Sequence, residues 1–245
     1  MYETPRYLGS GEKCLVIEFS DAIDRLANIR LQNLRRELEK LAVPGIRELV
    51  PTYASLAIHH DPLILSRSEI IPLVDNALKT LTATESSEKR IMVMPVAYGG
   101  EFGPDMDFVA EHTGFGVEEV IRRHTANDCY CFMLGFTPGF GYLGGMDEAL
   151  ETPRLKTPRT LIPAGSVGIA GKQTGTYSVN SPGGWQVIGH TPLRLFDPLS
   201  DTPTLIEAGD WIRFRSVDKK EYDDIAAAVE ARSYTPERLV EGGDA

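Results

Sequence analysis

The sequence predicts an α+β chain of two domains: an N-terminal domain of alternating strands and helices, then a β-rich domain that closes, or nearly closes, into a barrel. Three observations carry this. At 245 residues and 42% apolar content the chain has room and material for two cores. Before about residue 96 glycine is scarce and apolar residues recur at helix or strand periods. From Tyr98 onward most of the 23 glycines and many of the 16 prolines separate short apolar runs. The domains are therefore placed at residues 1–97 and 98–245.

The first element is the β-rich run "KCLVIEF" (13–19). It is followed by "DAIDRLANIRLQNLRRELEKL" (21–41), with Ile23, Ala27, Leu31, Leu34, Leu38 and Leu41 at steps of three and four, the spacing of one helix face. Asp21 is its expected N-cap, Asp24 and Lys40 suit the two ends of the helix dipole, and Pro44-Gly45 stops it. "IRELVPTY" and "SLAIHHD" read as two strands joined by a turn near Thr52 to Ala54. A second helix starts at Pro72, or earlier if Ser66 and Glu69 form a capping box. "RIMVMPVAY" (90–98) completes a β-α-β-β-α-β order, the split pattern of ferredoxin-like folds.

Beyond Tyr98, "CYCFMLGF", "SVGIAG", "WQVIGH" and "WIRFRSV" are expected strands. Helices are expected near Val117 to His124 and Lys220 to Ala231. The final "VEGGDA" has nothing to bury and is expected to fray.

Charge and composition exclude some functions. With 35 acidic and 25 basic residues the formal charge is −10, which repels nucleic acid and anionic membrane surfaces. There is neither an apolar leader nor a run long enough to span a bilayer, and three cysteines do not make a disulfide framework, so a cytoplasmic protein is expected.

Several stretches bear on chemistry. "SVGIAGKQ" (166–173) departs from a P-loop: Ser166 stands at its first glycine, Gln173 follows Lys172, and no helix can follow. Turns of this kind still offer backbone N–H groups to an anion. "PRLKTPRTLIPAGS" (153–166) gathers Arg154, Lys156 and Arg159 in an otherwise acidic chain; the guanidinium fork suits carboxylate or phosphate, and surface ion pairing is the competing explanation. "YGGEFGPDMD" (98–107) sets Glu101, Asp105 and Asp107 on a glycine-rich connection, where at least one aspartate is expected to cap a helix. His59 and His60 face opposite sides of a strand, and Cys129 and Cys131 have no second ligand pair. No metal site or catalytic triad emerges, and no catalytic residue is assigned.

"YGGEFGPD", "LGFTPGFGYLGG", "PRLKTPRTLIPAGSVGIAG" and "QTGTYSVNSPGGWQVIGHTPLRLFDP", in that order, closely resemble the family named for allophanate hydrolase subunit 1. That family includes the B subunit of bacterial 5-oxoprolinase, a sporulation kinase inhibitor of bacilli and part of the urea carboxylase carboxyltransferase domain. The resemblance implies that the second domain is a cyclophilin-like β-barrel. It implies a subunit of an ATP-dependent 5-oxoprolinase complex, inactive alone, with a subunit 2-type cyclophilin-like partner and an A-type subunit. ATP and Mg²⁺ would serve the complex, with Glu101 or Asp105 as candidate magnesium ligands. Arg154, Lys156, Arg159, Lys172 and His190 are the candidate groups for substrate or phosphate, with Phe136, Phe140, Tyr142 and Trp185 as cleft walls. The sequence departs from the family pattern at Ser178, where proline is usual, and at His190, where arginine is. A regulator of a sensor histidine kinase and a urea carboxylase or allophanate hydrolase subunit are the alternatives; a prolyl isomerase would rest on fold alone.

Overall fold

In the computed structural model, which describes residues 1–81 and 89–242, the chain divides into two compact units in front of Lys89.

The first unit holds strands β1 (Arg6–Gly9) and β2 (Cys14–Glu18), helix α1 (Arg25–Leu41), strands β3 (Ile46–Pro51) and β4 (Ser55–His60), and helix α2 (Arg67–Thr80). Its sheet runs β1-β2-β4-β3, antiparallel throughout. Ile17, Leu56 and Ile58 of the sheet pack with Leu31, Leu34 and Val74 of the helices in one fully buried cluster. Asp24, not Asp21, caps α1, accepting from the N–H groups of Leu26 and Ala27 at 2.8 and 3.1 Å. The capping box starts α2: the Glu69 carboxylate accepts from the Ser66 N–H at 2.8 Å, so Pro72 lies inside the helix rather than in its first turn.

The expected βαββαβ order is not what this sheet shows. Its second edge is the short N-terminal strand β1, while Lys89–Tyr98 belongs to the other unit. The reason is visible in the run itself. "IMVMPVA" is apolar at consecutive positions and buried at all of them, the signature of a strand covered on both faces.

The second unit begins with β5 (Lys89–Tyr98), α3 (Met106–Thr113), α4 (Val117–Ala126), β6 (Cys129–Leu134) and β7 (Gly141–Gly144). After a short helical turn at Glu148–Leu150 come β8 (Arg159–Ile162), β9 (Ser166–Ala170), β10 (Gln173–Thr176), β11 (Ser181–Gly183) and β12 (Gln186–His190). Last are β13 (Trp211–Ser216), α5 (Lys219–Glu230) and β14 (Arg238–Glu241). Seven strands close a barrel in the order β12-β9-β10-β7-β6-β13-β5, sealed by the β12–β5 pairing of Gly189 with Tyr98. β8 and β11 form a separate two-stranded ribbon. The C-terminal segment does not fray where expected: Val240 and Glu241 pair with Arg90 and Lys89 as part of β14. Residues 243–245 of that segment lie outside the described residues.

The barrel core contains Val96, Cys131, Ile169, Ile188 and Phe214. Burial pushes the Cys129 thiol up to about 12, so it stays protonated. One polar chain enters this core. Thr174 Oγ1 donates to the Gly168 carbonyl at 3.1 Å and so accepts from His124 Nε2 at 2.7 Å; His124 Nδ1 then accepts from the Tyr98 hydroxyl at 2.8 Å. Every polar atom of the buried imidazole is thereby satisfied in its neutral form. Among the described residues no helix is long and apolar enough to cross a membrane.

Candidate functional site: an aromatic cleft beside the barrel

The loop from β6 to β7 turns through "GFTPGFG" with Phe136 at φ 63° and Gly139 at φ 76°, both left-handed. Glycine adopts this freely; phenylalanine does so at a cost of about 1–2 kcal/mol. Strain of this kind persists only where surrounding structure enforces it. The loop is tied down by Ser178, whose Oγ donates to the Pro138 carbonyl at 2.6 Å, a bond that proline at that position could not make.

This turn delivers Phe140 into a ring cluster. Phe140 is 2% exposed and meets four rings edge-on: Phe136 at 5.7 Å, Tyr142 at 5.2 Å, Tyr177 at 5.5 Å and Trp185 at 5.5 Å between centroids. Edge-to-face pairs of this kind hold ring orientation as well as burying area. Phe140 is therefore the hub of the wall. Phe136, 62% exposed, is its rim.

The rings bound a cavity of about 300 Å³ completed by Arg154, Pro158 and Pro182. Glycine at 183 keeps it open, since a Cβ there would stand 2.2 Å from the Tyr177 hydroxyl oxygen. That oxygen accepts from the Trp185 backbone N–H, and burial raises the phenol above its usual range, so it is neutral at physiological pH. Arg154 is exposed, its guanidinium carbon 6.0 Å from the Trp185 ring centroid. Among the described residues it has no carboxylate partner. A small apolar cleft with one unpaired guanidinium at its edge suits a small ring-bearing molecule with a negative group.

The remaining candidates have other positions. Arg159 points to Asp105, fork to carboxylate, at 2.8 and 2.6 Å. Asp105 also accepts from the Val187 N–H at 2.6 Å; it is the N-cap residue of α3, yet its side chain caps no helix N–H. Both Asp105 oxygens thus accept hydrogen bonds from within the protein. Glu101 is exposed and 3.5 Å from Lys219, and Lys172 pairs with Glu148 at 3.0 Å. Lys156 is exposed and does not line the cleft. His190 Nδ1 lies 2.8 Å from the Tyr222 hydroxyl, away from the cleft, and burial lowers its pKa. No group of three or more metal-ligating side chains occurs among the described residues. Sequence reasoning missed Tyr177 and the two prolines; "TYS" carries no signal of its own, and only the folded chain brings Tyr177 under Phe140.

The chain thus joins a four-stranded sheet unit to a seven-stranded barrel that carries an aromatic, arginine-edged cleft. Residues 5–206 match the model of the carboxyltransferase domain, subdomain C and D, and the chain belongs to that family. It is 40% identical over 222 residues to the B subunit of 5-oxoprolinase from Bacillus subtilis, covering 86% of this chain and 92% of that one. The crystal structure of TTHA0988 matches at a TM-score of 0.76 and 34% identity, over 84% of this chain and 40% of the other. The urea amidolyase of Lachancea kluyveri is 24% identical over 89% of this chain but only 14% of its own length.

Proposed function

We propose that this chain is the B subunit of an ATP-dependent 5-oxoprolinase, a complex that opens the lactam of 5-oxoproline to glutamate, and that the aromatic cleft is its share of the substrate site. The observation that carries the reading is the unpaired Arg154 at the edge of a 300 Å³ aromatic cavity. 5-Oxoproline is a small flat ring bearing one carboxylate. Its ring matches the Phe140, Tyr142 and Trp185 wall, and its carboxylate matches the guanidinium. A charge-assisted hydrogen bond there contributes about 1.5–3 kcal/mol. Similarity to the Bacillus subtilis 5-oxoprolinase chain over nearly its whole length supports the same substrate.

The cleft binds and orients; among its described lining residues there is no paired nucleophile and base. An unstrained lactam is a poor electrophile, so the activating chemistry falls to the partners, a subunit 2-type protein and an A-type subunit, which use ATP and Mg²⁺.

The test is to purify the chain alone and with both partners and to measure glutamate release from 5-oxoproline with and without ATP. The chain alone is expected to be silent and the complex active. Turnover by the chain alone overturns the shared site. A stable complex inert toward 5-oxoproline overturns the substrate, and inhibition of histidine-kinase autophosphorylation by that same preparation would establish the regulator instead.

A further inference from the structure

Tyr177 lines the aromatic cleft although it is only 1% exposed, and its hydroxyl is the group that Gly183 leaves uncovered: a Cβ on residue 183 would stand 2.2 Å from the oxygen. The residue is fixed on all sides. Its N–H donates to the Ser166 carbonyl at 2.9 Å and its carbonyl accepts from the Gly165 N–H at 2.7 Å, which holds the backbone where β10 ends. The ring lies edge-on to Phe140 at 5.5 Å and to Trp185 at 6.4 Å between centroids. The hydroxyl is therefore positioned before any ligand arrives.

The hydrogen-bonding capacity of that hydroxyl is half used. Its oxygen accepts from the Trp185 backbone N–H, and among the described residues no acceptor receives its proton. A buried donor without an acceptor is costly, and the open space beside this one can admit an acceptor. Because burial raises the phenol above its usual range, the proton stays in place at neutral pH. The cavity is thus offered a neutral donor by Tyr177 on its buried side and a charged one by Arg154 at its exposed edge.

We infer that the Tyr177 hydroxyl donates to the lactam oxygen of 5-oxoproline, and that the cleft thereby selects a ring that carries a carbonyl as well as a carboxylate. The inference rests on the reading of the cleft as the 5-oxoproline site. In that molecule the carboxylate and the lactam oxygen stand on the two carbons that flank the ring nitrogen, so a ring seated against the wall presents an anionic acceptor and a neutral one at separate points. The guanidinium fork suits the first and the single phenolic proton the second. A ligand without the carbonyl would leave the buried proton unpaired, which is how a site of this kind rejects an analogue of nearly the same shape. A carbonyl oxygen has two lone pairs, so this bond leaves one open to the activating chemistry of the partners.

The test is isothermal titration of the full chain, alone and with its partner subunits, against three ligands: L-5-oxoproline; 3-oxocyclopentanecarboxylate, which keeps the ring, carbonyl and carboxylate; and cyclopentanecarboxylate, which differs from the second only in lacking the carbonyl. Wild type is expected to bind the two carbonyl ligands about five- to tenfold more tightly than the third. Tyr177→Phe should abolish that preference while binding cyclopentanecarboxylate within about twofold of wild type, and Arg154→Ala should weaken all three ligands and keep the preference. The preference is a ratio within one protein, so a general loosening of the wall in Tyr177→Phe would not imitate its loss. Saturable binding of 5-oxoproline with no such preference in wild type, or with the preference intact in Tyr177→Phe, overturns this inference and leaves the cleft reading standing. Absence of saturable 5-oxoproline binding in every preparation overturns the cleft reading and this inference with it.

Discussion

Arg159 and Asp105 meet in a bidentate pair, Nη1 to Oδ2 at 2.8 Å and Nη2 to Oδ1 at 2.6 Å, and Asp105 Oδ2 also receives the Val187 N–H at 2.6 Å. The pair therefore clamps the ribbon strand β8 to the start of α3 and to barrel strand β12. Arg154, five residues before Arg159 and of identical chemistry, makes no such tie.

The two arginines should then separate in a mutational test. Arg159→Ala leaves the nearly buried Asp105 carboxylate without its partner and should cost about 2–4 kcal/mol of stability. Arg154→Ala should leave the thermal midpoint within about a degree while raising KM of the assembled complex several-fold, since it removes only a ligand contact of about 1.5–3 kcal/mol. Thermal denaturation and steady-state kinetics on both variants check this. Equal melting losses would place Arg154 in the structural network.

His124 gives a pH dependence. Burial holds its pKa down to about 3, against an ordinary value near 6.5, so the folded protein binds fewer protons than the unfolded chain between those values. Stability from this group is complete above about pH 6.5 and is lost progressively as pH falls toward 3. Urea titrations at pH 7, 5.5 and 4.5 should show falling stability, and the His124 ring protons should not titrate by NMR above about pH 4. A ring that titrates near 6.5 would contradict the neutral Tyr98–His124–Thr174 chain.

Asp128 works through a paired carboxylate. Arg213 and then Lys89 hydrogen-bond it, at 2.7 Å and 2.6 Å for their shortest contacts, and hold its pKa below the usual carboxylate range. A depressed carboxylate stabilises above its unfolded value near 3.9, and that contribution disappears as pH falls through the lower folded value. Asp128→Asn should therefore cost about 1–3 kcal/mol at pH 7, and wild type and variant should converge as pH falls below the ordinary carboxylate range. Because Lys89 and Arg213 also bind Glu241, hydrogen exchange in β14 should quicken in the variant at neutral pH.

How legible this was differs by element. The i, i+3, i+4 pattern identifies α1: Ala27, Leu31, Leu34 and Leu38 are buried, whereas Ile23, which precedes the helix, and Leu41, its last residue, are exposed. The start of α1 was misplaced because Asp21 and Asp24 offer the same chemistry, and only the backbone decides which oxygen reaches the free N–H groups. Lys89–Tyr98 was given to the wrong sheet because a strand's partners are non-local; Arg6–Gly9, four residues with one glycine, carries too little pattern to be found as its replacement. In the site, Phe136, Phe140, Tyr142 and Trp185, the expected cleft walls, line one cavity together with Arg154, which the sequence reading sets apart from them. Arg159 does not join them, because whether an arginine is free or paired depends on a residue 54 positions away. Tyr177 was invisible for the same reason: its place beneath Phe140 is set by how β10 runs beside β7.

Gly183 offers the sharpest test of the cleft. Its backbone is not left-handed, so alanine meets no backbone objection, yet a Cβ would stand 2.2 Å from the Tyr177 oxygen and 2.8 Å from Ile162 Cδ1. Tyr177 is hemmed in by Phe140 and Trp185 and cannot retreat without tilting the wall. Overpacking at such a point costs about 1–3 kcal/mol, and here it should also narrow the cavity, lowering affinity for the ligand and shifting Trp185 fluorescence. Tyr177→Phe deletes the oxygen that makes the shortest contact. The double variant Gly183→Ala/Tyr177→Phe should therefore be more stable than the sum of its single changes by about 1 kcal/mol, while the 2.8 Å contacts with the ring Cζ of residue 177 and with Ile162 Cδ1 keep it below wild type. Additive losses in that cycle would mean that the Tyr177 oxygen does not set the width of the cleft.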